Sequence, residues 1–157
     1  MQPLPLQTLE IAMKQALATA LTALIALLPL CSQAADVTLE VEGLDASRLQ
    51  GAMLMVAVFT DPAQWLRQPQ TGQRLMLGTE AANGKFSVVL KNLPEGPLAL
   101  SVFQDANANG RLDMNAMGIP TEPFGFSNDA VGNFGPPKFE QAVLTPSAGA
   151  PVKIRLN

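Results

Sequence analysis

Residues 35–157 of this 157-residue chain predict an all-β fold, an antiparallel β-sandwich of about seven strands with one short helix. Three observations carry that reading. Short segments alternate apolar and polar residues at a period of two. Clusters of Gly, Pro and Asn separate them at regular spacing. A single segment carries both helix-start and helix-stop residues, so the strand–helix rhythm of a parallel α/β sheet is absent.

Residues 1–34 are set apart and read as a signal peptide. Lys14 precedes the uncharged run Gln15–Leu30, and the small residues Ser32 and Ala34 follow it. That order suits export, with cleavage after Ala34. The stretch before Lys14 is long and contains Glu10, so Met13 is an alternative start. A retained membrane anchor is the less favoured reading, because the run falls short of the roughly 17–25 residues of a spanning helix. Cys31, the one cysteine, would be a lipidation site only if bulky Leu30 were accepted before it. A periplasmic or secreted location is expected, with membrane attachment only through an uncleaved segment or a lipidated Cys31.

The strands follow in order. "VTLEVEG" places Val37, Leu39 and Val41 on one face and Thr38, Glu40 and Glu42 on the other. "GAMLMVAVF" (51–59) is apolar on both faces, as a central strand covered on each side would be. "TDPAQWLRQP" is the helix, with Asp61 as cap, Pro62 at its first position and Pro69 as its stop. Core packing is the favoured role of Trp65, ahead of ligand stacking. "QRLMLGT" is a weaker strand, and "GKFSVVLKNL" a clear one with Phe86, Val88 and Leu90 inward. "GPLALSVF" (96–103) belongs in the middle of a sheet. "KFEQAVL" is weaker again, and "VKIRLN" alternates Val152, Ile154 and Leu156 with Lys153 and Arg155. The set suits an immunoglobulin- or transthyretin-like sandwich. Opposite charges on the wet faces of the first and last strands predict that these two are neighbours in one sheet.

Between the fifth and sixth of these strands lies a long loop, 104–138, without strand pattern. Connections of that length in a compact domain are usually functional or internally organised. Asp105, Asn107, Asn109, Gly110 and Asp113 occupy positions 1, 3, 5, 6 and 9 of a calcium loop, with Arg111 at position 7 offering only its carbonyl. Every side-chain donor is a hard oxygen, which suits calcium. Position 12, normally a bidentate Glu, is Ala116. Glu122 is the nearest acid able to complete the site, with Asn115 and Asp129 as further options. Such a set implies weak binding, with a dissociation constant of about 0.1–1 mM. The competing reading is a plain Asx-rich turn whose side chains bond to local backbone.

"VFQDANANGRLDMNAMGIPTEPFGFSNDAVGNFGPPKFEQAVL" resembles the signature of the bacterial family catalogued as domain of unknown function 2141. The resemblance spans essentially all of the chain after the signal segment, and it implies an exported β-domain without implying an activity. The Asp-Asn-Asn-Gly-Asp stretch is also similar to calcium loops in the B-type sandwich repeats of Gram-positive surface adhesins. Those loops have an acidic residue where this chain has Ala116.

The second half of the loop carries Phe124, Phe126, Phe134 and Phe139, four of the seven phenylalanines. They predict either a packed Ω-loop with its own mini-core, which is favoured, or an aromatic platform for a glycan, peptide or apolar ligand.

Composition narrows the chemistry. The chain contains no histidine and no tyrosine, which excludes histidine-based acid–base catalysis and ordinary zinc sites. Ser127 lacks a nucleophile context, and a partner for it would have to be Lys138. An Asp113–Glu122 carboxylate pair acting on a glycosidic bond is the one catalytic alternative, and a distant one. A net charge of −3 without a basic cluster argues against nucleic acid. The expected function is that of a non-catalytic module, with calcium as the candidate cofactor and a protein, glycan or small ligand as partner.

Overall fold

The computed structural model describes residues 35–147 and 149–157. The expected signal peptide lies outside the described residues. Seven strands form two sheets. One is three-stranded, with β1 (Ala35–Glu42) between β4 (Lys85–Leu93) and β7 (Val152–Arg155). The other runs in the order β3 (Thr71–Met76), β2 (Met53–Phe59), β5 (Ala99–Asp105), β6 (Phe124–Phe126). The all-β sandwich is therefore the observed class. Among the described residues no helix is long and apolar enough to cross a membrane.

The period-two pattern explains the core. Leu39, Leu54, Leu90, Leu98, Leu100 and Ile154 point between the sheets and are fully buried or nearly so. At roughly 1.5–3 kcal/mol for each fully buried aliphatic side chain, this layer is the main stabilising term of the domain. A second, smaller core lies on the other face of the four-stranded sheet, because Phe59 and Ala99 are the neighbours of inward-facing Val58 and Leu100. Phe126, Phe139 and Trp65 cover that face.

β1 and β7 are neighbours, as their charges require. Glu40 stands opposite Lys153 and Glu42 opposite Arg155, with ion-pair distances of 3.3 and 3.7 Å. They run parallel, however, unlike every other pair of adjacent strands in the two sheets. A parallel pair needs a long crossover, and the first and last strands of the domain have one. Lys85, hydrogen-bonded to Glu42 at 2.7 Å, holds that carboxyl below the usual range, with Arg155 and Lys153 adding to the effect.

Three elements differ from expectation. "KFEQAVL" is not a strand. It forms a single helical turn, α1 (Phe139–Ala142), in which the Gln141 side-chain oxygen accepts the Lys138 N–H at 2.8 Å. Phe139 and Ala142, three apart, share the buried face of that turn. The strand that takes its place is β6, inside the segment read as strandless. The helix expected after Asp61 is only a 3-10 turn, Pro62–Gln64. Asp61 does cap it, accepting the Ala63 N–H at 2.9 Å, but Leu66 turns to φ 56° before Pro69 is reached. The outer face of β2 is half-buried rather than covered, since only its C-terminal part, Ala57 and Phe59, packs into a second cluster while Met53 and Met55 stay partly exposed.

β6 also laces the two sheets together. Phe124 and Asn157 exchange backbone hydrogen bonds at 2.9 and 3.3 Å, while the Leu156 N–H reaches the Glu42 carbonyl at 2.8 Å. Gly125 lies so close to β7 that a Cβ there would strike the Arg155 carbonyl oxygen and come within 3.1 Å of Ile154 Cγ2. Gly125→Ala is therefore expected to lower unfolding free energy by about 1–3 kcal/mol, as overpacking does. Urea denaturation monitored by Trp65 fluorescence measures the loss.

Candidate functional site

β5 ends at Asp105, and the chain must there leave the sheet and return as β6. The Asp105 carboxylate is 1% exposed. A buried polar group needs partners, and it finds them in the chain just ahead. One oxygen accepts the Asn109 N–H at 3.0 Å, the other the Gly110 N–H at 2.7 Å. The turn needs left-handed backbone at Ala108 (φ 57°) and Gly110 (φ 80°). A Cβ at Gly110 would also lie 2.9 Å from the guanidinium of Arg74, a flexible side chain that can swing aside, so it is the positive φ that calls for glycine.

The amides continue the pattern. Asn107 Oδ1 accepts the Asn109 N–H at 3.1 Å, and Asn109 Oδ1 accepts the Arg111 N–H at 2.8 Å. Their NH2 groups both donate to Asp113, at 2.7 and 2.9 Å, one to each carboxylate oxygen. Glu122, 5% exposed, closes the loop from its far end, accepting the Ala106 N–H at 2.8 Å and the Asp113 N–H at 3.0 Å. The structure thus brings together Asp105, Asn107, Asn109, Asp113 and Glu122 from the predicted set. Arg111 joins through its backbone N–H, and its side chain is exposed.

The other candidates for a twelfth ligand are committed elsewhere. Asn115 Oδ1 accepts the Met117 and Ile119 N–H groups at 2.9 and 3.0 Å, closing a separate turn. Asp129 accepts the Arg155 N–H at 2.8 Å.

Whether these residues fit a calcium ion turns on what their oxygens already do. Both carboxylate oxygens of Asp105 and both of Glu122 accept backbone N–H groups. Each Asn oxygen is likewise engaged, and the two amide NH2 groups provide the positive partners of Asp113. Among the described residues no three His, Cys, Asp or Glu side chains form a metal-holding group. The donor set has the right chemical hardness, and each Asp105, Glu122 and Asn oxygen keeps a second lone pair, so the groups a cation would displace are the Asn107 and Asn109 NH2 groups on Asp113.

Gln104 escaped the sequence reading, and Ser127, weighed there only as a nucleophile, has a structural role instead. Gln104 is fully buried beside the loop. Its oxygen accepts the Asp45 N–H at 2.7 Å, and its NH2 donates to the Asp45 and Arg48 carbonyls at 3.1 and 3.0 Å. This fastens the 45–48 turn to β5, and Arg48 in turn reaches the Thr121 carbonyl at 3.4 Å. Hydrogen bonds from Ser47 and Arg48 hold the Asp45 carboxyl below its ordinary value. The signal for Gln104 was present, since it continues the inward series Leu98, Leu100, Val102 with a polar residue. Ser127 is buried, donating to the Ala142 carbonyl at 2.5 Å and accepting the Leu100 N–H at 2.8 Å. That is a structural bridge between β5 and α1.

The phenylalanines divide. Phe126 and Phe139 are buried and Phe124 is half-buried. Phe126 and Phe139 each lie 5.8 Å from the Trp65 ring, and Phe124 lies 5.9 Å from Phe126. Trp65 also meets Phe59 edge-on at 4.9 Å and donates its indole N–H to the Pro137 carbonyl at 2.8 Å. Phe134 alone is fully exposed, at φ 58°.

Residues 40–154 match a family model described as "Uncharacterized protein conserved in bacteria (DUF2141)". No curated protein and no solved structure matches the chain.

Removing the Asp105 carboxylate leaves the half-buried Gly110 N–H without its acceptor and the Asn109 N–H with Asn107 Oδ1 alone. Asp105→Ala is expected to cost about 1–3 kcal/mol of unfolding free energy, the penalty for the Gly110 N–H left unpaired. Chemical denaturation of the variant against the parent protein checks it.

Proposed function

Because the chain belongs to this family of uncharacterised bacterial proteins, we propose that it is a non-catalytic, exported β-sandwich module whose working element is the rigid loop 105–122. One observation carries the proposal. The carboxylates of Asp105, Asp113 and Glu122 are all engaged in closing the loop on itself. A group whose oxygens are occupied in that way is poorly placed as a general base or nucleophile. The chain's lack of histidine supports the same reading. Export is supported by the signal-like order of residues 1–34.

Calcium is a weak ligand of this loop in our account. The oxygens are hard and anionic, yet the amide groups of Asn107 and Asn109 have to turn away from Asp113 before an ion gains full coordination. That cost places binding at the weak end of the extracellular class, with a dissociation constant of about 1 mM.

A second reading, recognition of a protein, glycan or small ligand, is favoured by what the loop displays. Met114, Met117 and Ile119 are 58%, 79% and 54% exposed on the turn clamped by Asn115. Phe134 is the exposed ring that the aromatic-platform idea retains. The preformed loop would offer these side chains without an ordering cost.

Calcium at about 10 mM should raise stability by about 1.4 kcal/mol, seen as a melting-temperature increase of about 3–6 °C. Asp113→Asn, which keeps the shape and loses the charge, should abolish the increase. The absence of any shift in the parent protein, or an equal one in the variant, would remove calcium from the proposal.

A further inference from the structure

The connection between β2 and β3 holds an open cleft of about 350 Å3 lined by Thr60, Asp61, Gln64, Gln68, Pro69 and Gln70. The chain that forms it is firmly held. Trp65 plants its ring among Phe59, Phe126 and Phe139 and donates its N–H to Pro137. The Gln64 carbonyl accepts the N–H groups of Arg67 and Gln68, both at 3.0 Å. The Thr60 hydroxyl is hydrogen-bonded to the Gln70 side chain, and the Gln70 N–H reaches the Val58 carbonyl at 2.9 Å. Leu66, at φ 56°, reverses the chain between Gln64 and Gln68, so that both line the same cleft. A non-glycine residue in that region is strained, and such strain concentrates at functional sites.

We propose that this cleft binds a neutral, hydroxyl-rich ligand, namely a saccharide of one or two rings. The lining chemistry selects that class. The Gln64 and Gln68 carboxamides each donate and accept hydrogen bonds, and Gln70, its oxygen accepting the Thr60 hydroxyl, adds an NH2 donor; every hydroxyl group of a sugar likewise donates and accepts. No lining residue is cationic, so an anionic ligand finds no counter-charge. Asp61 has one oxygen committed to the Ala63 N–H, and its negative charge further disfavours anions. Five of the six lining residues are polar, which argues against an apolar ligand, while the Pro69 ring offers one apolar surface for the C–H face of a pyranose. The cleft shares no residue with the 105–122 loop, so the inference is independent of the calcium reading.

The test is an NMR titration of the 15N-labelled protein with glucose, cellobiose and N-acetylglucosamine, each to about 50 mM. The side-chain NH2 resonances of Gln64, Gln68 and Gln70 should shift saturably with at least one sugar, with half-saturation at about 1–10 mM. The double variant Gln64→Ala/Gln68→Ala alters only exposed side chains. It should weaken that response about fivefold or more and leave the melting temperature unchanged. The absence of a saturable shift with all three sugars overturns the proposal, as does a response that the double variant leaves intact. A stronger response to glucuronate than to glucose overturns the assignment of a neutral ligand.

Discussion

A carboxyl group buried as deeply as Asp105 must be given hydrogen-bond donors, and in this domain the donors come from the chain immediately following it. Because the Asn109 and Gly110 N–H groups are the ones within reach, the backbone is forced into a tight reversal at the end of β5. That reversal brings Asn107 and Asn109 to either side of Asp113, and it leaves Glu122 the Ala106 and Asp113 N–H groups. One buried side chain thereby sets the path of the next seventeen residues (106–122). The chain re-enters the sheet at Phe124 already in register with Phe103.

That re-entry matters to the whole domain. β6 is only three residues long, yet its two edges serve different sheets. One pairs with β5, and Phe124 on the other exchanges hydrogen bonds with Asn157 beyond β7. Its two side chains, Phe124 and Phe126, both join the second core, with Phe126 turned toward Trp65. The loop, the lacing of the sheets and the second core are consequently one construction. The same Trp65 ring that completes this core also steadies the β2–β3 connection and its polar cleft, so the two loop systems share a foundation.

The sequence made the regular parts legible because alternation has a direct physical meaning. Val37, Leu39 and Val41 face inward since the opposite register would bury Glu40 and Glu42. The charges of Lys153 and Arg155 named the neighbour of β1, although charge pairing is silent about strand direction and the parallel arrangement was not anticipated. The spacing of Asp105, Asn107, Asn109 and Asp113 announced that those groups converge, which they do. Spacing alone does not say what sits between them. An ion and a set of N–H groups both satisfy carboxylates, and the spacing of the residues does not choose between them. β6 was illegible because three residues, one of them glycine, carry no periodicity. "KFEQAVL" misled because Phe139 and Ala142 match a helical face as well as its apolar residues match a strand, and preceding prolines do not decide between them.

The central claim is that the loop is folded by its own hydrogen bonds and does not wait for a cation. Native-state amide hydrogen exchange in the presence of a calcium chelator tests this most directly. The Ala106, Asn109, Gly110 and Asp113 amides should remain protected about 100-fold or more over an unstructured chain, because each has a side-chain acceptor. Exchange of these four amides at unstructured rates in chelator, with protection restored by calcium, would contradict the account.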